Sequence, residues 1–410
     1  MKKGHFAKNG VLSVSLFVII YLIITLVIPP SKECAEKVRG VTDKEIKIGA
    51  IIDQTGSIAN VGIPLASGSA VYFRHINDQG GIHGRKIKFI LEDDRYNIPM
   101  GIAAFKKLLF KDEIFALIGP ASVGESRILF PNMQKFKLPS VVEGPHSEAV
   151  IPYKRYVFLC TLRYEQEIGV ILNYILEDLK EKDPRISYVT FDATSGKICM
   201  EYAKKWAKSL GITHMDIEVL PLGALDAASQ VLLIKKRGAD YILTHHPGPG
   251  TVALFRSMKQ LRFDVPVFGD VFSCSEDVVR QLGEQGRRFV ATAPCSPWYD
   301  KSPAIEEMRN ITLGYYPGTE KPYRSLYYTV GWTVAKILSE GLRRAGEHLT
   351  PDTLVDGMET LKGYDTKGLC GPIAITSQYH QYVDSCKFFR PDPPMGTLVP
   401  ITDWREPPKM

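Results

Sequence analysis

The segment 245–253 has the residue types and spacing most suggestive of chemistry. It follows an apolar, strand-like run and contains Gly-x-Gly-x-x-Ala at 248–253, with Asp270 near the position of the acidic residue in the dinucleotide-binding fingerprint. A proline inside the motif and its place in the middle of the chain favour a tight loop that offers backbone amides or an imidazole to a ligand. His245 and His246 are adjacent, so in an extended chain they point to opposite sides and cannot chelate one metal ion together.

A second candidate is the loop 118–125, which reads Ile-Gly-Pro-Ala-Ser-Val-Gly-Glu. A strand-like run ends at Ile118 and a helical pattern begins near Glu125, so free amides and the Ser122 hydroxyl would point beyond the strand. Such an arrangement suits a carboxylate or another anionic oxygen. Ser122 could equally be an ordinary helix N-cap, because serine is a preferred cap.

Asp93 and Asp94 resemble a carboxylate pair for acid–base catalysis. Adjacent side chains at a strand end diverge, and a solvated loop with Arg95 as a local partner is the simpler interpretation. The chain has no Gly-x-Ser-x-Gly elbow, phosphate-binding loop or His-Glu-x-x-His motif. We therefore predict a protein that is not an enzyme and that holds no cofactor and no metal ion.

These loops connect alternating strands and helices. A short apolar strand, a loop and an amphipathic helix recur from residue 45 to 142 and again from 166 to 268. This alternation predicts an α/β fold with two doubly wound lobes, each a parallel sheet covered by helices on both faces. Ligands of such sheets bind at the carboxyl ends of the strands. The amphipathic run 325–342 predicts a long helix that returns to complete the first lobe.

Length, composition and charge agree with this organisation. The 410 residues suit two domains, and 45% apolar with 23% charged residues is a globular profile. The net charge of +6 is spread along the chain without basic blocks, so we predict that the protein does not bind nucleic acid.

Residues 11–28 form an uncharged run that follows three lysines. This predicts an export signal or anchor within residues 1–34, and it places the rest of the chain in the periplasm or outside the cytoplasm. The run is at the short end of a membrane span. Three outcomes remain open: an uncleaved inner-membrane anchor formed by 11–28, a signal cleaved at an atypical site, and a lipid on Cys34.

The seven cysteines include no Cys-x-x-Cys pair, so zinc ribbons and dithiol redox chemistry have no support. Cys370 and Cys386 flank two strand-like runs. They could be joined by a disulfide across a C-terminal hairpin, or they could be separate buried thiols.

Several segments together carry a family resemblance. They are Ile48-Gly49-Ala50, Thr55-Gly56-Ser57, Ile-Asn-Asp-Gln-Gly-Gly-Ile-His-Gly-Arg at 76–85, Glu92-Asp93-Asp94, Ile118-Gly119-Pro120, Gly238-Ala239-Asp240, Trp298-Tyr299-Asp300 and 368–380. From Glu45 to its end the chain resembles the leucine/isoleucine/valine-binding proteins of ABC importers, which are type I periplasmic solute-binding proteins. The resemblance implies three hinge crossovers and a ligand trapped between the lobes. We place lobe 1 at 45–163 plus 296–365 and lobe 2 at 164–295 plus 366–410.

The resemblance also implies where a ligand would be contacted. The first-lobe serine that holds a ligand carboxylate in amino-acid binders aligns with Val123, and the glutamate that neutralises the ligand ammonium aligns with Val271. The predicted ligand-binding residues, taken at or beside the aligned positions, are Ser122, Val123, Gly144, His146, Ser195, His246, Pro247 and Asp270. Since nearly every substrate-reading position differs, the resemblance predicts the scaffold but not a leucine-like ligand.

The expected function is that of a substrate-binding protein of an ABC importer. It would capture a small polar solute, such as an amino acid, a carboxylate or an amide, work as a monomer, and dock in its closed form on a membrane permease. The alternative is a membrane-anchored, ligand-sensing receptor of the same fold, although the chain has no cytoplasmic output domain. An exported enzyme with a two-domain cleft is a third possibility, which turnover of a solute would establish.

Overall fold

The computed structural model describes Met1 and residues 37–319 and 324–409. The chain divides into two compact units, Met1–Val38 and Arg39–Met410, and the described structure is almost wholly the second. The predicted export segment and Cys34 therefore lie outside the described residues. Within the described ranges, no helix combines the length and the apolar character that crossing a membrane requires.

The first sheet is built from five strands with helices between them. In chain order these elements are β1 (Glu45–Ile51), α1 (Ala59–Asp78), β2 (Lys86–Glu92), α2 (Ile98–Lys106), β3 (Ala116–Ile118), α3 (Val123–Lys135), β4 (Ser140–Val142) and β5 (Val157–Leu159). All five strands are parallel, in the order β2-β1-β3-β4-β5. The short strands β3, β4 and β5 are buried along their whole length, as expected for a parallel sheet covered on both faces.

The second sheet follows the same plan. Its first elements are α4 (Tyr164–Asn173), β6 (Ile186–Thr190), α5 (Thr194–Ser209), β7 (Met215–Val219), α6 (Ala228–Arg237), β8 (Tyr241–Thr244), α7 (Gly248–Gln260), β9 (Val267–Gly269), α8 (Glu276–Leu282) and β10 (Phe289–Ala293). These strands are parallel to one another.

The chain then returns to the first sheet before it ends on the second. The last elements are α9 (Pro303–Tyr315), α10 (Leu326–Ala345), α11 (Pro351–Glu359), β11 (Lys387–Asp392) and β12 (Thr397–Pro400). Strands β11 and β12 add antiparallel to the edge of the second sheet beside β10. The predicted α/β class with two lobes is confirmed, and the antiparallel edge is an addition that the sequence did not predict.

The predicted return of the long helix is also confirmed, because α10 packs along α1 of the first lobe. Two glycines make the close approach of these helices possible. A Cβ atom on Gly68 would lie 2.1 Å from the Tyr328 carbonyl oxygen, and one on Gly331 would lie 1.9 Å from that of Leu65. Any larger residue at either position would force the two helix backbones apart.

The six cysteines within the described residues are free and buried. The C-terminal hairpin is present, with Ile373 opposite Val383, but the two cysteines that flank it do not face each other. Cys370 lies opposite Cys295, directly after β10, in an isolated antiparallel bridge, and Cys386 lies opposite Arg405. Of the two alternatives, the structure therefore has separate buried thiols.

Candidate functional site

A cavity of about 60 Å³ lies where the carboxyl ends of the two sheets meet. Its wall is formed by Ile58, Val61, Leu65, Tyr96, Ala121, Glu143, Pro145, Cys160, Thr161, Tyr164, Val271, Phe272, Tyr327 and Val330. A wider groove of about 1010 Å³ lies at the amino ends of β8 and β9, around Tyr241 and Pro266. We take the smaller cavity as the candidate site, because α/β sheets bind ligands at the carboxyl ends of their strands.

The first lobe contributes one carboxyl group to the cavity wall. Glu143 follows β4 directly and is 7% exposed, and neither of its carboxyl oxygens has a hydrogen-bond partner. Burial raises the pKa of Glu143 to about 8, and the nearby carboxylate of Asp94 contributes to the rise. Glu143 is therefore a buried acid that no neighbouring group satisfies.

A second buried carboxyl lies at the start of α3, outside the cavity wall. Burial, followed by the neighbouring Asp94, raises the pKa of Glu125 to about 9. Asp94 is itself buried, and it accepts a hydrogen bond of 3.1 Å from the backbone N–H of Tyr96. Three acidic side chains of the first lobe thus lie close together beside the cleft.

On the second-lobe side, the acid that follows β9 has a full set of partners. One carboxylate oxygen of Asp270 accepts from the backbone N–H groups of Phe272 at 3.1 Å and Ser273 at 3.2 Å, and from the Ser273 hydroxyl at 3.0 Å. The other oxygen is bonded to Nδ1 of His245. The His245 ring stacks on Phe191 with 5.2 Å between the ring centroids. This network fixes the loop after β9.

The two lobes touch each other around the cavity. The hydroxyl of Tyr327, on α10, donates to the carbonyl oxygens of Val271 and Phe272, both at 3.1 Å. The backbone N–H of Leu326 donates to Glu276 at 2.7 Å. A Cβ atom on Gly124 of α3 would lie 3.1 Å from the hydroxyl oxygen of Thr194 on α5. The structure therefore has the lobes drawn together over the cavity.

In the first lobe, the predicted ligand-binding residues lie next to the cavity wall. Ser122 is the N-cap of α3 and accepts from the Glu125 N–H at 3.3 Å, and Val123 is the first residue of the helix. Gly144 lies between two wall residues, and a Cβ atom there would be 2.9 Å from the Ala121 carbonyl oxygen.

His146 lies in the same loop and is buried, with neither ring nitrogen hydrogen-bonded. Its ring stacks on Phe130 with 5.6 Å between the centroids. Burial lowers the pKa of His146 to about 3, so the imidazole is neutral at physiological pH.

In the second lobe, His246 and Pro247 belong to the connection between β8 and α7. The Nε2 atom of His246 lies 3.0 Å from the carbonyl oxygen of Leu220, and burial lowers the pKa of the ring. Helix α7 already begins at Gly248, so 248–253 is a helix and not the predicted loop. Gly250 is required there because a Cβ atom would lie 1.9 Å from Nδ1 of His246. Gly250 of the glycine motif therefore makes room for the ring of His246.

The remaining two predicted residues are Ser195, in the first turn of α5, and Asp270. Ser195 is buried close to Tyr96 of the first lobe. None of the eight predicted residues, all within the described ranges, is part of the cavity wall. Four wall residues, Ala121, Glu143, Pro145 and Val271, are adjacent in the chain to predicted ones. The eight remain predictions.

The sequence reasoning missed Glu143 and the aromatic residues Tyr96, Tyr164, Phe272 and Tyr327. A signal was present for Glu143, because it is the first polar residue after an apolar strand-like run, at a carboxyl end. No comparable signal marks Tyr327, which reads as one more residue of an amphipathic helix.

One group of acids within the described residues, Asp53, Asp93 and Asp94, has oxygens close enough together to hold a cation. Backbone amides already occupy these carboxylates: Asp53 accepts from the N–H of Ile58 at 2.9 Å, and Asp93 from that of Gln54 at 2.8 Å. Asp93 also lies 3.7 Å from the side chain of Arg95, as predicted, whereas Asp94 is buried and not solvated. The cluster organises the loops and gives no indication of a ligand.

Comparison with known proteins links this geometry to one family. A family model described as a periplasmic binding protein matches residues 45–393. The Leu/Ile/Val-binding protein BraC3 of Rhizobium johnstonii is 26% identical over 231 residues, which cover 55% of this chain and 61% of that relative.

Two solved structures are similar over most of their length. A branched-chain amino acid ABC transporter protein from Thermus thermophilus with bound valine has a TM-score of 0.82 at 20% identity, covering 89% of this chain and 97% of that chain. A fatty acid ABC transporter substrate-binding protein from Thermomonospora curvata has a TM-score of 0.80 at 19% identity, covering 92% and 96%. At these identities the likeness shows a shared fold.

Proposed function

The chain belongs to the periplasmic binding protein family, and from that premise we propose that it is the substrate-binding protein of an ABC importer. It would capture a small polar solute between its lobes, outside the cytoplasm, and present it to a membrane permease. The observation that carries this proposal is the cavity at the facing carboxyl ends of the two sheets, whose wall is drawn from both lobes.

A wall shared by two lobes couples binding to closure. Residues such as Glu143 and Pro145 come from the first lobe, and Val271 and Phe272 come from the second. A ligand gains all of these contacts only when the lobes are together, so it favours the closed arrangement by its higher affinity for that state. The contacts of Tyr327 with the second lobe supply part of the closed interface.

The cavity wall favours binding over catalysis. Among the described residues, the wall contains a thiol, Cys160, but no histidine beside it. Burial raises the pKa of Cys160 well above its ordinary value, which suppresses the nucleophilic thiolate. The proposed cycle therefore consists of capture, closure, docking of the closed monomer on the permease, and release.

The test is thermal unfolding of the compact unit Arg39–Met410, against a library of small amines, amino acids, carboxylates, amides and sugars. A ligand that binds only the folded state at 100 times its Kd adds about 2.7 kcal/mol of stability, a readily measured rise in the midpoint. A dose-dependent rise with one chemical class is the expected result. A cooperatively folded sample that responds to no class would contradict the proposal.

A further inference from the structure

We infer that the captured solute is a small organic cation, an amine or a quaternary ammonium compound, whose charge is held by Glu143 inside a set of aromatic rings. This inference rests on the proposed function and names the ligand class of the same cavity. It is carried by the charge of the wall, by the unpaired state of one side chain and by the placement of the rings.

The ionisable groups of the cavity wall are all acids, which can become negative but never positive. Glu143 is the only carboxyl group among the 14 wall residues, all of which the structure describes, and the wall contains no lysine, arginine or histidine. Asp94, outside the wall, adds a further acidic group on the same side of the cleft. A ligand carboxylate would find no cationic partner in this wall, whereas a cation would be neutralised by the carboxylate that Glu143 forms when it loses its proton.

The carboxyl group of Glu143 has no partner within the protein. Both of its oxygens are buried without a hydrogen bond, a state that destabilises the folded protein. Buried polar groups left unsatisfied at a cleft are candidates for ligand contacts. An ammonium group in the cavity would supply the missing opposite charge.

Four aromatic side chains surround the cavity. Tyr96 and Tyr327 come from the first lobe, and Tyr164 and Phe272 come from the second. The electron-rich face of an aromatic ring attracts a cation, most strongly where water is excluded. Because the rings belong to both lobes, a cation between them would hold the lobes together, as the proposed closure requires.

The size of the cavity limits the cation. Its volume of about 60 Å³ is well below the roughly 150 Å³ of an apolar cavity that takes up benzene. The aliphatic side chains of Ile58, Val61, Leu65 and Val330 complete the wall and would contact methyl or methylene groups. The space therefore suits a primary ammonium group with a short alkyl chain, whereas a quaternary ammonium group, which is bulkier than benzene, would require the wall to move outward.

Binding of a cation should release a proton. The titratable groups that face Glu143 are Asp94, from the loop after β2, Cys160, after β5, and the tyrosines of the wall. A cation beside Glu143 favours its ionised form, so below pH 8 the carboxyl group must lose its proton on binding. Affinity for the cation should fall about tenfold for each pH unit below 8. The fall ends at the pH where Glu143 stays protonated in the complex as well.

The experiment is isothermal titration calorimetry of the compact unit with tetramethylammonium, ethylammonium, choline and its neutral isostere 3,3-dimethyl-1-butanol, together with acetate and valine. We expect at least one of the cations to bind, and acetate and the neutral isostere to bind at least 30-fold more weakly than that cation. Comparing buffers of different ionisation enthalpy at pH 7 should reveal proton release. The alkyl series separates primary amines from quaternary ammonium compounds as the preferred source of the charge.

The matched variants are Glu143→Gln, in the wall, and Glu125→Gln, a buried acid outside it. Glu143→Gln should weaken binding of the cation at least 30-fold and abolish proton release, whereas Glu125→Gln should change affinity by less than about threefold. If Glu143→Gln does not fold, the proton release of the unaltered protein still tests the inference.

Three results would overturn this inference: unchanged cation affinity in a folded Glu143→Gln variant, cation binding without proton release at pH 7, or binding of acetate or of the neutral isostere but of no cation. In each case a saturable ligand is still found, so the proposed capture of a solute would survive. Failure of every class of compound on a folded sample would instead overturn the proposed function itself.

Discussion

Glu143 and Asp270 occupy equivalent places in the two lobes, but only one of them has hydrogen-bond partners. Each is the first residue after a parallel strand, β4 or β9, and each is buried at the cleft. Asp270 has backbone, hydroxyl and imidazole partners, whereas Glu143 has none. A buried acid with all its partners holds a loop in place, and a buried acid without partners at a cavity is available to a ligand. The difference lies in the neighbours and not in the position.

The largest expected effect comes from Asp270→Asn, which disrupts the hydrogen-bond network of the second-lobe acid. The substitution removes the charge paired with His245 while the backbone N–H groups of Phe272 and Ser273 stay buried. Removing one member of a buried hydrogen-bond network leaves its partners unsatisfied, which typically costs about 1–3 kcal/mol and more where a charged group is involved, and we expect a loss of about 3 kcal/mol in the free energy of unfolding. Chemical denaturation measures it.

The control is Asp264→Asn, which removes the exposed ion pair with Arg288 and should cost less than about 1 kcal/mol. Equal stabilities of Asp270→Asn and the unaltered protein would show that the network does not stabilise the second lobe.

Glu143→Gln should raise the free energy of unfolding of the protein without ligand, whereas Asp270→Asn should lower it. The pKa of Glu143 is about 8 in the folded state, against about 4.3 in an unfolded chain. Between these values the folded protein keeps a proton that the unfolded chain loses, so the carboxyl group destabilises the fold increasingly as pH rises. The variant should gain roughly 2–4 kcal/mol at pH 9 and almost nothing at pH 4. Urea titrations at the two pH values provide the measurement, and a loss of stability at pH 9 would contradict the comparison.

A smaller effect, on ligand binding, is expected from a substitution that keeps the two lobes apart. Gly124→Phe places a ring where even a Cβ atom would lie 3.1 Å from the hydroxyl oxygen of Thr194, so it opposes closure. We expect about tenfold weaker ligand binding, equivalent to about 1.4 kcal/mol, and a larger radius of gyration by small-angle X-ray scattering.

Gly314→Phe is the matched control, because Gly314 is also a helical glycine but has open space around it. If both variants bind ligand like the unaltered protein, the contact between α3 and α5 does not govern closure.

The smallest effect at neutral pH concerns His146, another unsatisfied group of the first lobe. Replacing its unpartnered ring with phenylalanine should stabilise the protein by about 1 kcal/mol at pH 7. The pKa of His146 is about 3 in the folded state, below that of an unfolded chain, so the histidine destabilises the fold as pH falls from about 6.5 towards 3. The advantage of His146→Phe should therefore grow at pH 5, opposite to the trend for Glu143→Gln. Thermal melts at pH 5 and 7 would detect it, and a stability gain that does not grow at pH 5 would refute the assignment.

Much of the fold could be predicted because it rests on local patterns. The predicted alternation of strands and helices is present in both lobes, since short apolar runs between glycine, proline and aspartate turns define buried strands. The antiparallel strands β11 and β12 were not predicted to join the second sheet, because their pairing is set by a distant partner, β10. The family resemblance read from the motifs is confirmed by the match over residues 45–393.

The sequence by itself determined the alternation of strands and helices, the family, and the rule that a ligand lies beyond the carboxyl ends of the strands. Only the tertiary structure decided which side chains there have partners. It gave Asp270 its partners His245 and Ser273, and it left Glu143 alone among aromatic rings. The hydrophobic periodicity that predicts strands and helices is local in the sequence. The burial of a side chain and its hydrogen-bond partners depend on residues that are distant in sequence and meet only when the sheets and crossovers are assembled.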